Sequence, residues 1–425
     1  MSKSATPVFK IIPTTQKYDW GKIGLSSKVA QCAQSIPGFQ VDENAPYAEL
    51  WMGTHPTSPS HLFSDPSQSL ASHLEAHPEL IGDAVITRFA DTGASKGNLP
   101  FLFKVLSIGK ALSIQTHPDK ETAKKLHEAR PDVYKDSNHK PEMALALTPF
   151  TALCGFRPLP NIARYMSSTP ELVALIPTSI AHKFLSIAQS PTSSEAEEKA
   201  ALKDLFAAIM TAEEHTFKEQ LFKLVQRYNG GGPLENEQDV KDLVLKLDSQ
   251  FPGDIGVFCA FLLNYVQLKP GEAIFLAAGE PHAYVSGDII ECMATSDNVI
   301  RAGLTPKLRD VPNLVSGLTY TAGESSRHLV QPSRFSSSSH TTLYDPPIPE
   351  FSVLDVVLKS GENETHKPID GPSLAIVVKG TGAVKWDGGG FDVKEGNVFF
   401  VGSGTQVTFG TESELAVVRA FVDVK

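Results

Sequence analysis

Ser113, Gln115 and His117 alternate along the run ALSIQTHPDKE, so in a strand all three project from one face. The Gln115 amide oxygen and the His117 imidazole can each ligate a metal. Glu142 in SNHKPEMALAL adds a carboxylate, and His282 in FLAAGEPHAYVSGDIIE adds a second imidazole. Four such donors could close around one divalent ion: zinc takes imidazole nitrogen and carboxylate oxygen readily, and an amide oxygen less commonly. A single His reads more readily as a satisfied polar residue. The metal reading rests on the three separated segments taken together.

These donors need strands to hold them. From Phe9 to about Arg157 the chain has short β-like runs broken by Pro and Gly. FLFKVLSIGKALSIQTH reads as a hairpin turning at Gly109-Lys110. Short helices are expected over Ser69 to Pro78 and Asp119 to Ala129. Between Pro158 and Gln267 the pattern becomes helical. Ser194 can cap a helix whose third position is Glu197, and Leu202, Leu205, Phe206 and Ile209 recur at one-face spacing. Phe217 to Val225 and Val240 to Leu247 repeat that spacing, and GVFCAFLLNYV reads as a buried helix. The run Asn229 to Pro233, NGGGP, lacks the ending of a nucleotide-binding phosphate loop and reads as a turn.

Beyond Lys269 the β character returns in EAIFLAA, DIIECMA, FSVLDVVLK, SLAIVVKG, NVFFVG and LAVVRAFV, with a hairpin tip at Asp387 to Gly390. Ser333 to Ser339 with Pro346, Pro347 and Pro349 reads as an exposed connector. The expected organisation is a β unit over 1–157 and 268–330, a helical insertion over 158–267, and a second β unit over 331–425 without a ligand cluster.

Composition bounds the partners. The chain has 425 residues, 41% of them hydrophobic and 20% charged, which suits a globular protein of two or three packed units. With a net charge of −10 and no dense Lys/Arg cluster, nucleic acid is excluded as an expected partner. A small anion is not, because bulk charge is screened beyond about 10 Å and a few converging cations suffice. No apolar run reaches the roughly 20 residues of a membrane span, and no signal peptide is evident. The four cysteines, Cys32, Cys154, Cys259 and Cys292, are scattered and read as reduced thiols of a cytoplasmic protein.

The runs YDWG, APYAELWMGTHP, LPFLFKVLSIGKALSIQTHPDKE, NHKPEMALALTPFTALCGFRP and GEPHAYVSGDIIECMATSDNVIRAGLTPK carry more than spacing. Together they resemble type I mannose-6-phosphate isomerase, the zinc-dependent phosphomannose isomerase family of fungi and animals. The blocks lie within residues 18–307 and follow the family's order. The resemblance implies one zinc per chain, held by Gln115, His117, Glu142 and His282. It implies a mainly β fold: a cupin or jelly-roll catalytic β-sandwich, an inserted helical domain and a second jelly-roll-like domain. It further implies a monomer that interconverts mannose 6-phosphate and fructose 6-phosphate through an enediol(ate), upstream of GDP-mannose synthesis.

That chemistry assigns expected roles. A base must reach the C1/C2 proton, and Lys140 is a candidate because burial and a nearby cation both lower a lysine pKa. Glu291 is an alternative base or hydroxyl-binding carboxylate, and His55 a third candidate, for ring opening. The resemblance makes Arg301 the active-site arginine. Its guanidinium suits an enediolate or phosphate oxygen, and an ion pair with Asp297 would orient it. Ser113, Lys104 and Lys307 are candidate phosphate contacts, and Trp20, Glu49 and Trp51 are candidate sugar-site walls. Two other readings compete. One is a cupin metal oxygenase with iron in a two-His, one-carboxylate triad; the other is a non-catalytic sugar-phosphate sensor.

Overall fold

The structure is a computed structural model that describes residues 5–232 and 234–424, which leaves Pro233 of the NGGGP run outside the described residues. Two large antiparallel sheets dominate it, one of ten strands and one of eleven. In the first, the long strand His282–Ala294 is central. It pairs with Phe150–Phe156, Phe101–Ile108, Ile114–Thr116 and Glu142–Ala146, while Ile300–Gly303 pairs with Ile114–Thr116.

Period-two alternation gives this sheet a polar inner face and an apolar back. Lys104 and Glu291 face each other across the pair, while Phe103, Val105, Ile290 and Cys292 join a buried cluster on the other side. That cluster also holds Val353, Leu374, Ile376, Phe400 and Val418 of the eleven-stranded sheet. The second sheet therefore seals the back of the first. At the other end of the central strand, Ala283 and Val285 pack instead with Ile114, Ile300 and the helices.

The central strand changes neighbours at Gly287. Its φ of +120° is open to glycine, and a Cβ there would lie 2.7 Å from the Pro149 carbonyl oxygen. A register shift against Phe150–Phe156 occurs at the same place, between Thr151 and Ala152. Such a bulge changes which parity faces inward, so Tyr284 and Glu291, seven positions apart, both reach the same pocket.

The helical stretch runs from Leu159–Ser168 through Gln238–Gln250. Its Glu195–Met210 helix starts in the expected capping box of Ser194 and Glu197. Helices Leu70–Ala76 and Lys120–Ala129 also match expectation, capped by Ser69 and Asp119. The hairpin tip does too: Trp386 pairs with Gly389 around Asp387-Gly388.

Four expectations are corrected. Phe101–Ile108 and Ile114–Thr116 form no hairpin; each pairs with the central strand. The Gly109 and Lys110 N–H groups donate instead to the Trp20 carbonyl, which holds the chain away from a tight reversal. GVFCAFLLNYV is buried but splits into a 3-10 helix, Ile255–Phe261, and a strand, Leu263–Leu268. The connector after residue 331 contains two strands of the second sheet, Ser333–Arg334 and Thr341–Tyr344. Finally, Val8–Ile12 belongs to that second sheet, lying between Val398–Val401 and the short strand His61–Leu62 rather than in the ten-stranded sheet. The whole is the mainly β, cupin-like architecture with a helical insertion that the sequence leads one to expect.

Candidate metal centre and active site

Gln115 sits between His282 on one neighbouring strand and Arg301 on the other. Directly paired residues of an antiparallel sheet share a face, so these three side chains emerge together. Glu142 opens the strand Glu142–Ala146 and brings its carboxylate to the same place. His117, Glu142 and His282 each offer a ligand atom, all within 4.8 Å of one another, and all three are buried.

Hydrogen bonds fix the tautomers. His117 Nδ1 lies 2.6 Å from the Asn298 carbonyl oxygen, and His282 Nδ1 lies 3.0 Å from that of Glu280. A carbonyl only accepts, so both Nδ1 atoms carry the proton and both Nε2 atoms present a lone pair. The Nε2 atoms have no hydrogen-bond partner among the described residues. They stand 3.3 and 3.4 Å from Glu142 Oε1 and Oε2 respectively. Four electron-rich atoms thus converge in a buried site, an arrangement that a divalent cation would resolve. The donor set therefore fits a metal.

Electrostatics agree. Burial pushes the His117 imidazole down to about 4, against the pull of Glu142, so it is neutral at pH 7. Burial opposes charge on Glu142, yet Lys140, His117 and His282 hold its carboxyl well below the usual range. The Lys140 ammonium is 3.3 Å from Glu142 Oε1, at the edge of the cluster.

A second polar cluster lies on the same sheet. Lys104 Nζ is 3.1 Å from Glu291 Oε2, 3.3 Å from Glu49 Oε2, and 4.6 Å from the centre of the Trp51 ring. Burial works against charge on Lys104, but Glu49, Glu291 and Glu142 overcome it and raise its pKa. Burial raises the Glu291 carboxyl, with Lys104 opposing. The Trp51 indole N–H donates to Glu49. Lys104, expected at a phosphate, has two carboxylates as partners.

The other expected residues fall into place unevenly. His55 Nε2 lies 3.4 Å from Asp297 Oδ1, and its ring meets Trp51 edge-on. Asp297 is therefore engaged by His55, and the alternative of an ion pair with Arg301 is not what the geometry gives. Arg301 is half-buried with no carboxylate partner among the described residues, and burial alone lowers its pKa. Ser113 is half-buried just before its strand, Trp20 packs against a cluster containing Ile108 and Tyr284, and Lys307 is exposed. One contact went unforeseen: the Tyr284 hydroxyl donates to Glu142 Oε2 at 3.3 Å. Its position two residues from His282 was the available signal, since that spacing shares a strand face.

Models of type I phosphomannose isomerase match three parts of the chain: the catalytic domain over residues 8–159, the helical insertion domain over 175–263 and the C-terminal region over 342–388. The chain is 51% identical to a mannose-6-phosphate isomerase of Cryptococcus neoformans, over 98% of its own length and 99% of the relative's. Against the bovine enzyme of that name identity is 41%, over 95% and 96% of the two chains. Among solved structures, a zinc-bound mannose 6-phosphate isomerase superposes with a TM-score of 0.80 at 28% identity, covering 98% of this chain and all of that one. A variant of phosphomannose isomerase from Salmonella typhimurium gives 0.81 at 29% identity, covering 98% and 100%. Domain models in the expected order and full-length relatives well above 30% identity agree with the geometry of the site, and the chain belongs to the type I phosphomannose isomerase family.

Proposed function

We propose that this protein interconverts mannose 6-phosphate and fructose 6-phosphate, using one zinc ion held by His117, Glu142, His282 and Gln115. The observation that carries the reading is the pair of buried Nε2 atoms aimed at Glu142 and, among the described residues, without a hydrogen-bond partner, beside an Arg301 that has no carboxylate partner among those residues. Zinc bound there would polarise the sugar carbonyl and make the neighbouring C–H more acidic.

Lys140 is the base that takes the proton from C2 of the open-chain aldose and returns it to C1, which yields the ketose. Glu291, with its carboxyl raised by burial, hydrogen-bonds the sugar hydroxyls and carries protons between the two oxygens. Arg301 stabilises the negative charge that develops on the enediolate oxygen. Lys104 holds Glu49 and Glu291 in place, Trp51 and Trp20 wall the sugar, and His55 aids ring opening. Ser113 and Lys307 are assigned to the phosphate. The reading extends to a cytoplasmic monomer that supplies mannose 6-phosphate for GDP-mannose synthesis, with a catalytic unit over 1–157 and 268–330 that lends Val8–Ile12 to the second sheet, helices over 158–267 and a β unit over 331–425.

The test is a time course by NMR with purified, zinc-loaded protein and mannose 6-phosphate in deuterated water. Fructose 6-phosphate should accumulate to equilibrium. Sugar-phosphate binding without isomer formation would instead favour a sensor, and stoichiometric iron with oxygen uptake would favour an oxygenase.

A further inference from the structure

The metal-facing geometry of His117 depends on a carbonyl, and that carbonyl is held from outside the site. Asn298, 1% exposed, receives the His117 Nδ1 proton on its backbone oxygen. Its side-chain amide is clamped in turn: Nδ2 donates to the Asp136 carbonyl at 2.8 Å, to the Asn138 carbonyl at 3.0 Å and to Asp136 Oδ1 at 3.3 Å. The Asp136 carboxylate spans the rest of that turn. Its Oδ1 accepts from the Ser296 hydroxyl at 2.8 Å, and its Oδ2 accepts from the Asp297 backbone N–H at 2.8 Å. Asn138 Nδ2 closes the same seam on the Thr295 carbonyl at 2.9 Å.

Two loops are therefore locked together by one half-buried carboxylate. The first, from Asp136, leads directly to Lys140 and Glu142. The second carries Asn298, which orients His117, and Asp297, which meets His55. Neither loop has regular secondary structure to fix it, so side-chain hydrogen bonds set where the Asn298 oxygen points.

We infer that Asp136 is a positioning residue for the metal centre, acting through Asn298 on His117 without touching metal or substrate. This rests on the proposed zinc site. Outer hydrogen-bond partners of metal-ligating histidines characteristically set affinity by 10–100-fold.

The experiment measures the zinc dissociation constant of the full-length protein by chelator competition, with no substrate present. Asp136→Ala should weaken zinc binding roughly 10–100-fold. Asp136→Asn keeps one acceptor but turns a donor toward the Asp297 N–H, so its constant should fall between wild type and Asp136→Ala. Ser194→Ala, which removes a helix cap far from this seam, serves as the control: its melting temperature should drop while its zinc constant stays at the wild-type value. An Asp136→Ala protein that melts earlier yet binds zinc as wild type does would overturn the inference. Should that variant not fold, a wild-type zinc constant for Asp136→Asn would overturn it equally. A wild-type chain that takes up no zinc would instead refute the reading of the site beneath it.

Discussion

Lys104 and Glu291 are direct partners across adjacent strands, and their side chains close to 3.1 Å in a site where both are buried. Glu49 completes a triad with one cation between two carboxylates. Burial of three ionisable groups is tolerable only because each finds a charged neighbour. Removing the cation should therefore be more damaging than removing one acid. Lys104→Met is expected to destabilise the protein by about 3–5 kcal/mol, and Lys104→Met with Glu291→Gln by clearly less, as measured by denaturant unfolding. A double-variant loss equal to the sum of the losses in Lys104→Met and Glu291→Gln would refute the coupling.

His117→Ala and His282→Ala should each lose metal and activity together, because either change opens the ligand set. Metal content after dialysis, set beside turnover, checks this. Acid has a definite sign at His117. Its pKa is depressed from 6.5 to about 4, so the stability it contributes to the zinc-free protein is full above 6.5 and is lost as pH falls toward 4. The melting temperature of zinc-free protein should fall across that window, with a shallower fall in His117→Ala.

Arg301→Ala should retain zinc but lower kcat by roughly 10²–10³, the usual cost of losing one preorganised charge at a developing oxyanion. Metal analysis and steady-state kinetics separate the two effects. Unchanged kcat would remove Arg301 from the mechanism.

Lys140→Met keeps the length of the side chain and deletes the amine. Turnover should drop by about 10²–10⁴, and the limb of the pH–rate profile that reports the base should vanish. A profile of wild-type shape would point to Glu291 as the base.

Asp355 lies half-buried on the Ser352–Lys359 strand, and burial raises its carboxyl from 3.8 to about 6. The sign follows from linkage: this group favours the folded state fully below 3.8, and that contribution is lost as pH rises through 6. Asp355→Asn should stabilise the protein at pH 8 by about 1–2 kcal/mol and have less effect near pH 4. Chemical denaturation at the two pH values measures the difference.

Much of the ligand set was legible because metal chemistry restricts residue types and strand alternation restricts spacing. His117, Glu142 and His282 converge, and Gln115 lies beside His282 in register. The Ser194 cap was legible because it is local. The false hairpin was not avoidable on local grounds: both runs are genuine strands, but their partner lies roughly 170–190 residues later in the chain, and only the tertiary fold decides the pairing. GVFCAFLLNYV failed because a short apolar run has no period to tell helix from strand. The Asn298 and Glu280 contacts are invisible to pattern reading because a backbone carbonyl leaves no trace in residue identity.

The placement of Val8–Ile12 against Val398–Val401 bears on how the protein is made. Lys10 and Asn397, hydrogen-bonded at 3.0 Å, stand 387 positions apart. At a translation rate of about 5–20 residues per second, the early strand waits on the order of 20–80 seconds before its partner leaves the ribosome. Throughout that interval the edge that Val398–Val401 will cover is unpaired and open to other chains, while His61–Leu62 can take the opposite edge. That side of the second sheet therefore closes only after residues 398–401 are made, and because the sheet seals the back of the Lys104 and Glu291 strands, their apolar cover is completed no earlier.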